Sequence, residues 1–391
     1  MSNIPKLRFP EFSGEWEEKK LDSLSLINPK PGDLPEVFSY IDLESVKNGV
    51  LLQEKIIKKE EAPSRAQRLL EEKDILFQTV RPYQRNNYFF NSKNPTVAST
   101  GYAQFRVNKN NYPSFLYQYL YTNNFVKNVL DRCSGTSFPA ISTNDLLEIC
   151  LHIPSLAEQQ KIADFLSNVD SIITAETKIL NTLQKKKKAL MQKLFTQQLR
   201  FKSDDGTDFP AWEEKKLGDV CETYSGGTPK SGTAEYYGGE IPFIRSGEIS
   251  SNKTELFLTE KGMENSSAKM VSKGDILYAL YGANSGLCSI SKIDGAINQA
   301  ILCIKTNENK RFLCNYLQYQ REYFYSTYLQ GGQGNLSGKL VESFIIPLPC
   351  IVEQQKIADC LSSLDSLIQT QQKVVTTWQQ RKKALLQQMF V

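Results

Sequence analysis

The sequence is short of the residues that most enzymes use for acid–base chemistry and metal binding. Its one histidine, His152, lies in the apolar string CLHIP, where a structural role is the better interpretation. Its eight cysteines are scattered and form no Cys-x-x-Cys pair, which argues against a structural zinc site and against a disulfide framework. Most histidine-based catalysis and metal binding is therefore excluded.

Long apolar runs are also absent. No segment reaches the roughly 18 apolar residues that a membrane helix needs, and the opening segment MSNIPKLRFPEFSGEW lacks the apolar core of a secretory signal. The composition, with 40% hydrophobic and 23% charged residues, is that of a soluble globular protein. Its 391 residues suit two or three domains. We expect a cytoplasmic protein without membrane contact.

Acidic residues are missing from one long stretch. Between Ile75 and Leu130 there is no Asp or Glu. The same segment contains the basic residues Arg81, Arg85, Lys93, Arg106, Lys109 and Lys127. The net charge of +4 does not by itself indicate a nucleic-acid-binding protein, but an uninterrupted positive field of this length attracts a polyanion.

Signatures of several enzyme classes are missing too. The segment QGGQGNLSGKL (330–340) resembles a phosphate-binding loop but fails its spacing, because Gly332 lies six residues before Gly338 and Leu340 takes the Ser/Thr position. No Asn/Asp-Pro-Pro-Tyr string of an amino-methyltransferase occurs, and the two Glu-x-Lys strings lack an acidic partner pattern. An NTPase is rejected, and a free-standing methyltransferase or nuclease is weakly supported.

What the sequence does contain is an internal repeat of about 195 residues. Three strings recur in the same order: WEEKKL at 16–21 and 212–217, EQQKIAD at 158–164 and 353–359, and KKAL at 187–190 and 382–385. The segments that carry the last two strings agree closely, whereas the rest of each copy diverges. This contrast indicates one shared mechanical role for the similar segments and two different targets for the divergent ones.

The similar segments, 157–199 and 352–390, predict two long helices. Each has apolar residues at helical spacing with a seven-residue recurrence and no internal Pro or Gly. A helix of about 38 residues would be about 57 Å long. The matched stripes predict an intramolecular coiled coil; the alternative is two ordinary core helices. The long connection between the two segments favours an antiparallel pair, with the two globular units at opposite ends of a rod.

The predicted helix interface is made of apolar residues on both segments. They are Ile162, Leu166, Val169, Ile173 and Leu183 on the first and Ile357, Leu361, Leu364, Ile368 and Trp378 on the second. Polar interruptions are also matched, since Lys186 and Lys187 correspond to Arg381 and Lys382. We expect such a polar layer to fix the register of the pair at some cost in stability.

The divergent segments predict mixed α+β domains, because short apolar runs bounded by Gly, Asn, Ser and Pro alternate with helical patches. The predicted division is a first mixed domain at 1–152, a central long helix at 153–200, a second mixed domain at 201–347 and a C-terminal long helix at 348–391. The predicted fold class is therefore α+β with a pseudo-twofold internal repeat.

Candidate DNA-reading residues lie in polar loops of both mixed domains. Arginine pairs with guanine and Asn or Gln with adenine, and in TVRPYQRNNYFF (79–90) the candidates are Arg81, Gln84, Arg85, Asn86 and Asn87. In the second domain they are Lys230 in SGGTPKSG, Arg245 and Ser246 after an apolar strand, and Asn284 and Ser285 after a second Asp-Ile-Leu strand. CSGTSFPAIS (133–142) and 330–340 form a third pair of loops. The alternative in each case is a plain polar turn.

Three segments resemble the specificity subunits of type I restriction–modification systems. They are IPSLAEQQKIADFLSNVDSII (153–173), LPCIVEQQKIADCLSSLDSLI (348–368) and SGGTPKSGTAEYYGGEIPFIRSGEI (225–249). The resemblance covers essentially the whole chain, and its most specific element is the repeated Pro-x-x-x-Glu-Gln-Gln-Lys-Ile helix start. The first mixed domain departs from it, with LINPKPGDLPEVFSYIDLESV (26–46) where the second has the Gly-Gly-Thr-Pro-Lys segment.

The resemblance implies a function and a set of partners. Each mixed domain, a target-recognition domain, would read one half of a split site in double-stranded DNA, and the helices would set the spacing. The helices would also dock two methyltransferase subunits that bind S-adenosylmethionine, and a restriction subunit using ATP and Mg²⁺ can join. The chain itself would have no catalytic residue, metal or cofactor. The runner-up is a tandem-domain scaffold that binds proteins, which the acid-free stretch argues against.

Overall fold

The computed structural model describes residues 3–30, 32–328 and 335–391. The chain forms two compact units: unit 1 is Met1–Lys178 with Gln372–Val391, and unit 2 is Ile179–Gln371. Each long helix therefore contributes one half to each unit. Within the described part of the chain, no helix combines the length and the apolar character that crossing a bilayer requires.

The described residues of unit 1 form twelve short strands and four short helices before its long helix. The strands are β1 (Glu17–Lys20), β2 (Ser25–Ile27), β3 (Val37–Ile41), β4 (Val46–Lys47), β5 (Val50–Leu51), β6 (Lys55–Lys58), β7 (Ala66–Leu69), β8 (Ile75–Gln78), β9 (Tyr88–Phe89), β10 (Thr96–Ser99), β11 (Tyr102–Val107) and β12 (Cys150–Ile153). The helices are α1 (Leu21–Leu24), α2 (Pro113–Tyr119), α3 (Asn123–Leu130) and α4 (Thr143–Leu147), followed by the long helix α5 (Leu156–Phe195).

Unit 2 repeats most of this series, but β4 and β5 have no counterpart among its described residues. Its strands are β13 (Glu213–Lys216), β14 (Cys221–Ser225), β15 (Tyr237–Ile244), β16 (Leu256–Leu258), β17 (Lys269–Val271), β18 (Ile276–Ala279), β19 (Cys288–Ile290), β20 (Gly295–Ile297), β21 (Ile301–Thr306) and β22 (Ile345–Leu348). Its helices are α6 (Leu217–Val220), α7 (Glu260–Glu264), α8 (Lys310–Tyr319), α9 (Arg321–Tyr328) and α10 (Gly338–Glu342), followed by the long helix α11 (Ile351–Gln388).

The two units share one sheet topology. In unit 1 the four-stranded sheets run β6-β3-β10-β7 and β2-β11-β8-β9, and β1 pairs with β12. In unit 2 the order is β16-β15-β20-β17 and β14-β21-β18-β19, and β13 pairs with β22. Each unit has one parallel pair, β3 with β10 and β15 with β20. The divergent sequences thus form the same mixed fold, which confirms the predicted class and the internal repeat.

The divergent sequences keep the same inner strand buried in each unit, which helps to explain why the two units adopt one fold. All four residues of β8 and all four of β18 are buried, so both faces of each strand are covered, because successive side chains point to opposite faces. The strand β1 is exposed along its whole length, but Trp16 before it and Leu21 after it are 2% and 0% exposed. These two residues anchor the repeated WEEKKL string at its ends.

The long helices run antiparallel, as predicted. In unit 1 the first half of α5 and the last turns of α11 enter one core, where Ile162 and Leu166 join Leu386, Met389 and Phe390. In unit 2 the last turns of α5 and the first half of α11 do the same: Met191, Leu194 and Phe195 join Ile357, Ala358 and Leu361. The ten residues predicted at the helix interface are all buried or half-buried.

The register of the helices is marked by two equivalent ion pairs. In unit 1 the Nζ atom of Lys382 lies 2.6 Å from Oδ1 of Asp170. In unit 2 the Nζ atom of Lys187 lies 2.6 Å from Oδ1 of Asp365. The lysine side chains are 17% and 15% exposed, so both charges lie close to the apolar contact. Lys187 and Lys382 are two of the residues predicted to interrupt the stripes.

A buried glutamate ties the start of α5 to unit 1. Glu158 is 2% exposed and accepts hydrogen bonds from Nε and Nη2 of Arg8, each 2.8 Å long, and from Nε1 of Trp16. Next to it, Gln159 accepts a bond from the backbone N–H of Tyr112 and donates one to the carbonyl of Pro154. The carboxylate also lies in the first turn of α5, where negative charge is favoured.

The equivalent glutamate ties α11 to unit 2. Glu353 is fully buried and accepts bonds from Nε and Nη2 of Arg200, at 3.1 and 2.7 Å, and from Nε1 of Trp212 at 3.1 Å. Gln354 accepts from the backbone N–H of Asn309 and donates to the carbonyl of Pro349. In each unit an arginine of a repeated Leu-Arg-Phe string (7–9 and 199–201) thus joins the WEEKKL and EQQKIAD strings in one buried cluster, the clamp of that unit. The repeat marked these strings but did not explain their contact.

Candidate nucleic-acid interface

Three loops of unit 1 meet beyond the ends of their strands. They are the β8 loop (residues 79–87), the β3 loop (residues 42–52) and the helix-entry loop (residues 133–142). The backbone N–H of Arg81 donates to the carbonyl of Pro139 over 2.7 Å, and that of Ile141 donates to Thr79 over 3.1 Å. The backbone N–H of Asn48 donates to Oδ1 of Asn86 over 3.0 Å. Two loops predicted separately, 79–90 and 133–142, therefore form one surface.

Unit 2 brings the corresponding loops together. They are the β18 loop (residues 280–287), the β15 loop (residues 245–255) and the described end of the segment 330–340. The backbone N–H of Leu336 donates to the carbonyl of Leu280 over 3.0 Å. The Nδ2 atom of Asn284 lies 3.5 Å from where a Cβ on Gly247 would be. Residues 330–334 of the predicted third loop lie outside the described residues.

Amide side chains at the end of β8 and in its loop bond to one another and to the loop backbone. Gln78 donates from Nε2 to Oε1 of Gln84 and accepts the backbone N–H of Asn86. Asn87 is 1% exposed and its Oδ1 accepts the backbone N–H of Gln78, so the prediction of a DNA-contacting side chain is corrected to an internal role. Gln84 is exposed and Asn86 half-buried, so both remain predicted contacts.

The side chain of Arg81 contacts an exposed aromatic ring. Its guanidinium carbon lies 4.1 Å from the ring centroid of Phe138, and that ring is 61% exposed. Two residues further along the chain, Tyr83 is 50% exposed. The β8 loop and the helix-entry loop thus present an arginine and two aromatic rings.

Arg85 holds the β8 loop in place. Its Nη1 donates to the carbonyl of Tyr121 over 2.9 Å, and its Nη2 donates to Oδ1 of Asn123 over 2.8 Å. Burial lowers the pKa of the Arg85 guanidinium, yet the ordinary pKa of arginine is so high that it keeps its charge. The structure therefore assigns Arg85 to pinning the loop, and DNA contact by it stays a prediction.

In unit 2, Lys230 is exposed on a loop whose glycines are required by packing. A Cβ on Gly226 would lie 1.8 Å from the carbonyl oxygen of Ile297, and one on Gly227 would lie 2.5 Å from Cβ of Ser267. The two glycines therefore let the backbone approach β20 and its neighbour. DNA contact by the exposed side chain of Lys230 stays a prediction.

Arg245 is engaged by two carboxylates of its own unit. Its Nε and Nη2 donate to Glu248, at 3.1 and 3.0 Å, and Nη2 also donates to Glu255 at 2.7 Å. The guanidinium of Arg245 lowers the pKa of Glu248 to about 2, and the two carboxylates raise the pKa of Arg245 in turn. The arginine predicted to contact DNA is thus neutralised within the β15 loop.

The remaining candidates of unit 2 divide into buried and accessible ones. Ser285 is 1% exposed and its Oγ donates to the carbonyl of Leu280 over 3.0 Å, so the predicted DNA contact is corrected to an internal role. Arg321 on α9 donates from Nε to the carbonyl of Ser285 and so holds the β18 loop in place. Ser246 and Asn284 are half-buried and remain predicted contacts.

The acid-free stretch is less positive in the folded unit than in the sequence. Arg106 bonds through Nε and Nη2 to the buried Asp74 and forms an ion pair with Glu71, so its charge is compensated by residues just outside the stretch. No cluster of His, Cys, Asp or Glu able to hold a metal ion occurs among the described residues.

Comparison with known proteins gives the class. The chain matches the type I restriction modification DNA specificity domain over residues 14–185 and again over 211–377. These two matches cover most of the chain and fall on its two copies. The chain therefore belongs to this family of type I restriction–modification specificity subunits.

Named relatives agree with this assignment. A protein of Methanocaldococcus jannaschii, provisionally named as the specificity subunit of the type I restriction enzyme MjaX, is 29% identical over 72% of this chain and 68% of its own length. The MjaIX specificity subunit of the same organism is 31% identical over 46% of this chain and 44% of its own. The HindI specificity subunit of Haemophilus influenzae is 29% identical over 56% of this chain and 50% of its own. The last two matches thus span about half the length of those relatives.

Solved structures agree in fold. The S subunit of a type I restriction–modification system from M. genitalium superposes with a TM-score of 0.61 at 17% identity, covering 99% of each chain. A chain from a structure concerned with complex assembly and conformational transition of the type I R-M system has a TM-score of 0.58 at 22% identity, covering 96% of this chain and 97% of that chain. At these identities the likeness is one of fold.

Proposed function

We propose that each unit of this chain reads one half of a bipartite target in double-stranded DNA. The observation that carries the proposal is the repeated loop cluster. The same strand order presents two loops at equivalent positions in both units, next to the helix-entry loop in unit 1 and the described end of segment 330–340 in unit 2, and the side chains on these loops differ. Contacts to base edges specify sequence, so one scaffold with two sets of side chains suits two unlike half-sites.

Linking two readers in one chain strengthens and restricts binding. Once one unit holds its half-site, the second encounter is intramolecular, so two weak contacts combine into useful affinity. The helices α5 and α11 contribute to both units and set the spacing between half-sites. Targets with a wrong spacing are then rejected by geometry.

The chain reads DNA and leaves catalysis to its partners. Two methyltransferase subunits dock on the long helices and supply S-adenosylmethionine chemistry, and a restriction subunit using ATP and Mg²⁺ completes the complex in the cytoplasm. An apolar groove of about 430 Å³ in unit 1 supports docking there. Its lining includes Phe165, Val169, Ile172, Trp378 and Leu385. Phe165 and Ile172 are 38% and 36% exposed, although both belong to an apolar stripe.

Methylation mapping tests the proposal. DNA from cells that contain the partner methyltransferase is sequenced by a single-molecule method with and without this chain. We expect a split adenine-methylation motif only when the chain is present, and exchange of residues 1–150 for another recognition domain should change one half of that motif. A motif independent of the chain would refute DNA reading, and a change in both halves would refute the division into two readers.

A further inference from the structure

Arg81 is held in an unusual backbone conformation at the junction of two loops. Its φ is +55°, as is that of Arg85, and the two residues flank the single turn Pro82–Gln84. Non-glycine residues rarely adopt this region, and strain of this kind is concentrated at functional sites. The 2.7 Å hydrogen bond from the N–H of Arg81 to Pro139 holds the residue there.

The side chain of Arg81 is stacked rather than ion-paired. Its guanidinium lies 4.1 Å from the ring centroid of Phe138. Its Nε is buried without a hydrogen-bond partner among the described residues. A guanidinium on an aromatic face keeps its orientation while its outer N–H groups stay available for bidentate pairing. Arg81 therefore differs from Arg106 and Arg245, whose guanidinium groups form ion pairs with carboxylates.

Phe138 lies at the surface, unlike the core phenylalanines of unit 1. It is 61% exposed, whereas Phe77, Phe105 and Phe125 of the same unit are at most 1% exposed. An exposed ring on which the guanidinium stacks would orient the arginine for contact with a DNA base. In unit 2 the β18 loop, YGANSGL, contains no arginine at all.

We propose that Arg81, supported by Phe138, is the residue of unit 1 that selects a guanine in its half-site. Arginine donates two parallel hydrogen bonds to O6 and N7 of guanine in the major groove, and no other base offers that pair of acceptors. This inference rests on the proposed DNA reading and adds the base that unit 1 recognises. The half-site of unit 1 then contains a G·C pair whose identity depends on Arg81.

The test uses the full chain together with its methyltransferase partner. The half of the motif that belongs to unit 1 is first identified by the domain exchange described above. Methylation is then measured on duplexes in which each position of that half is varied in turn, for the unaltered chain and for the variants Arg81→Ala, Arg81→Lys and Phe138→Leu. Arg132→Ala is the matched control, because Arg132 is an exposed arginine of the same unit whose guanidinium bonds to the carbonyl of Asn128.

We expect one G·C position to lose discrimination by roughly 5- to 150-fold in Arg81→Ala, with the other half unchanged. Arg81→Lys should lose a large part of it, because lysine cannot form the bidentate pair. Phe138→Leu should lose a smaller part at the same position, and Arg132→Ala should leave every position unchanged. A merely structural role of Arg81 would reduce methylation evenly, without relaxing one base.

Three results would overturn the inference: a unit 1 half-site without a G·C pair, unchanged discrimination in both Arg81 variants, or relaxation in the other half. Should Arg81→Ala give no methylation because it fails to fold, the Arg81→Lys and Phe138→Leu patterns decide. Absence of any split motif with the unaltered chain would instead refute the proposed function, so the two failures are distinguishable.

Discussion

The loops after β8 and β18 occupy the same place in the two units but are held in opposite ways. In unit 1 the pin is Arg85, which belongs to the loop and bonds to the start of α3. In unit 2 it is Arg321, which belongs to α9 and bonds to the carbonyls of Ser285 and Ala283 in the loop. The position of the loop is thus kept while the residue that fixes it changes from one inside the loop to one outside it.

A second pair of loops shows the same principle with charge. After β3, Asp42 pairs with Lys55 at the start of β6, at 2.6 Å. After β15, Arg245 pairs with Glu255, just before β16, at 2.7 Å. The acid and the base have exchanged places between equivalent positions. Equivalent ties of opposite sign preserve the fold but give the two loop surfaces different electrostatics.

The largest expected effect concerns the clamps that the two units have in common. Removing one partner of a buried ion pair leaves the other uncompensated, so Glu158→Ala and Glu353→Ala should each destabilise their own unit by about 3 kcal/mol. Urea unfolding measures the loss, and hydrogen exchange locates it. Glu17→Ala and Glu213→Ala are matched controls, since these glutamates are 75% and 71% exposed, and should change stability by less than about 0.5 kcal/mol. If the losses of unfolding free energy in Glu158→Ala and Glu353→Ala were very unequal, the two clamps would not be equivalent.

A smaller effect is expected at the pins. Arg85→Met and Arg321→Met each remove two charged hydrogen bonds, which should cost about 2 kcal/mol or less. Hydrogen exchange should become faster in residues 79–87 for the first variant and in residues 280–287 for the second, with the other unit unchanged. Faster exchange throughout a unit would show instead that the arginine supports the core rather than the loop.

The smallest expected effect is a change of stability with pH in acid solution. It tests the ion pairs whose acid and base have exchanged places between the two units. The bond from Arg245 lowers the pKa of Glu248 to about 2 from 4.5. A carboxyl group whose folded pKa is depressed contributes stability above its unfolded pKa and loses it as the pH falls, here between about 4.5 and about 2. The difference in melting temperature between the unaltered chain and Glu248→Gln should therefore be largest near pH 6 and shrink by pH 3.

The corresponding test in unit 1 uses Asp42. Burial acts to raise the pKa of Asp42, but hydrogen bonds from Lys55 and Ser45 outweigh it and lower the pKa. Asp42→Asn should thus show the same direction of pH dependence. A stability difference that does not vary with pH in either variant would mean that the ion pair contributes nothing through protonation.

The long helices were predictable because their information is local and repeated. Apolar spacing and the absence of Pro and Gly determine a helix, and two matching stripes indicate a partner. The apolar spacing alone did not show which residues are buried at the helix contact, since Ile179 and Leu367 share that spacing and are 48% and 54% exposed. Met191 and Leu386, one position beyond stripe residues, are buried instead.

The loops were predicted in place but only partly in role. The pairing of Arg245 with Glu248 is local and could have been found from their spacing of three residues. The stacking of Arg81 on Phe138 joins residues far apart in the sequence, and no periodicity signals it. The burial of Asn87 was hidden for a related reason: whether a polar loop residue faces inward depends on the backbone groups that the fold presents to it.

The way the long helices end has a consequence for the order in which the protein forms on the ribosome. The core of unit 1 includes Phe390, whose ring lies 5.2 Å from those of Phe115 and Tyr119, centroid to centroid. Translation at roughly 5 to 20 residues per second puts about 10 to 40 seconds between the emergence of α5's first half and that of Phe390. Unit 2, whose last residue is Gln371, therefore has all of its residues before unit 1 does, although most of unit 1 is made first.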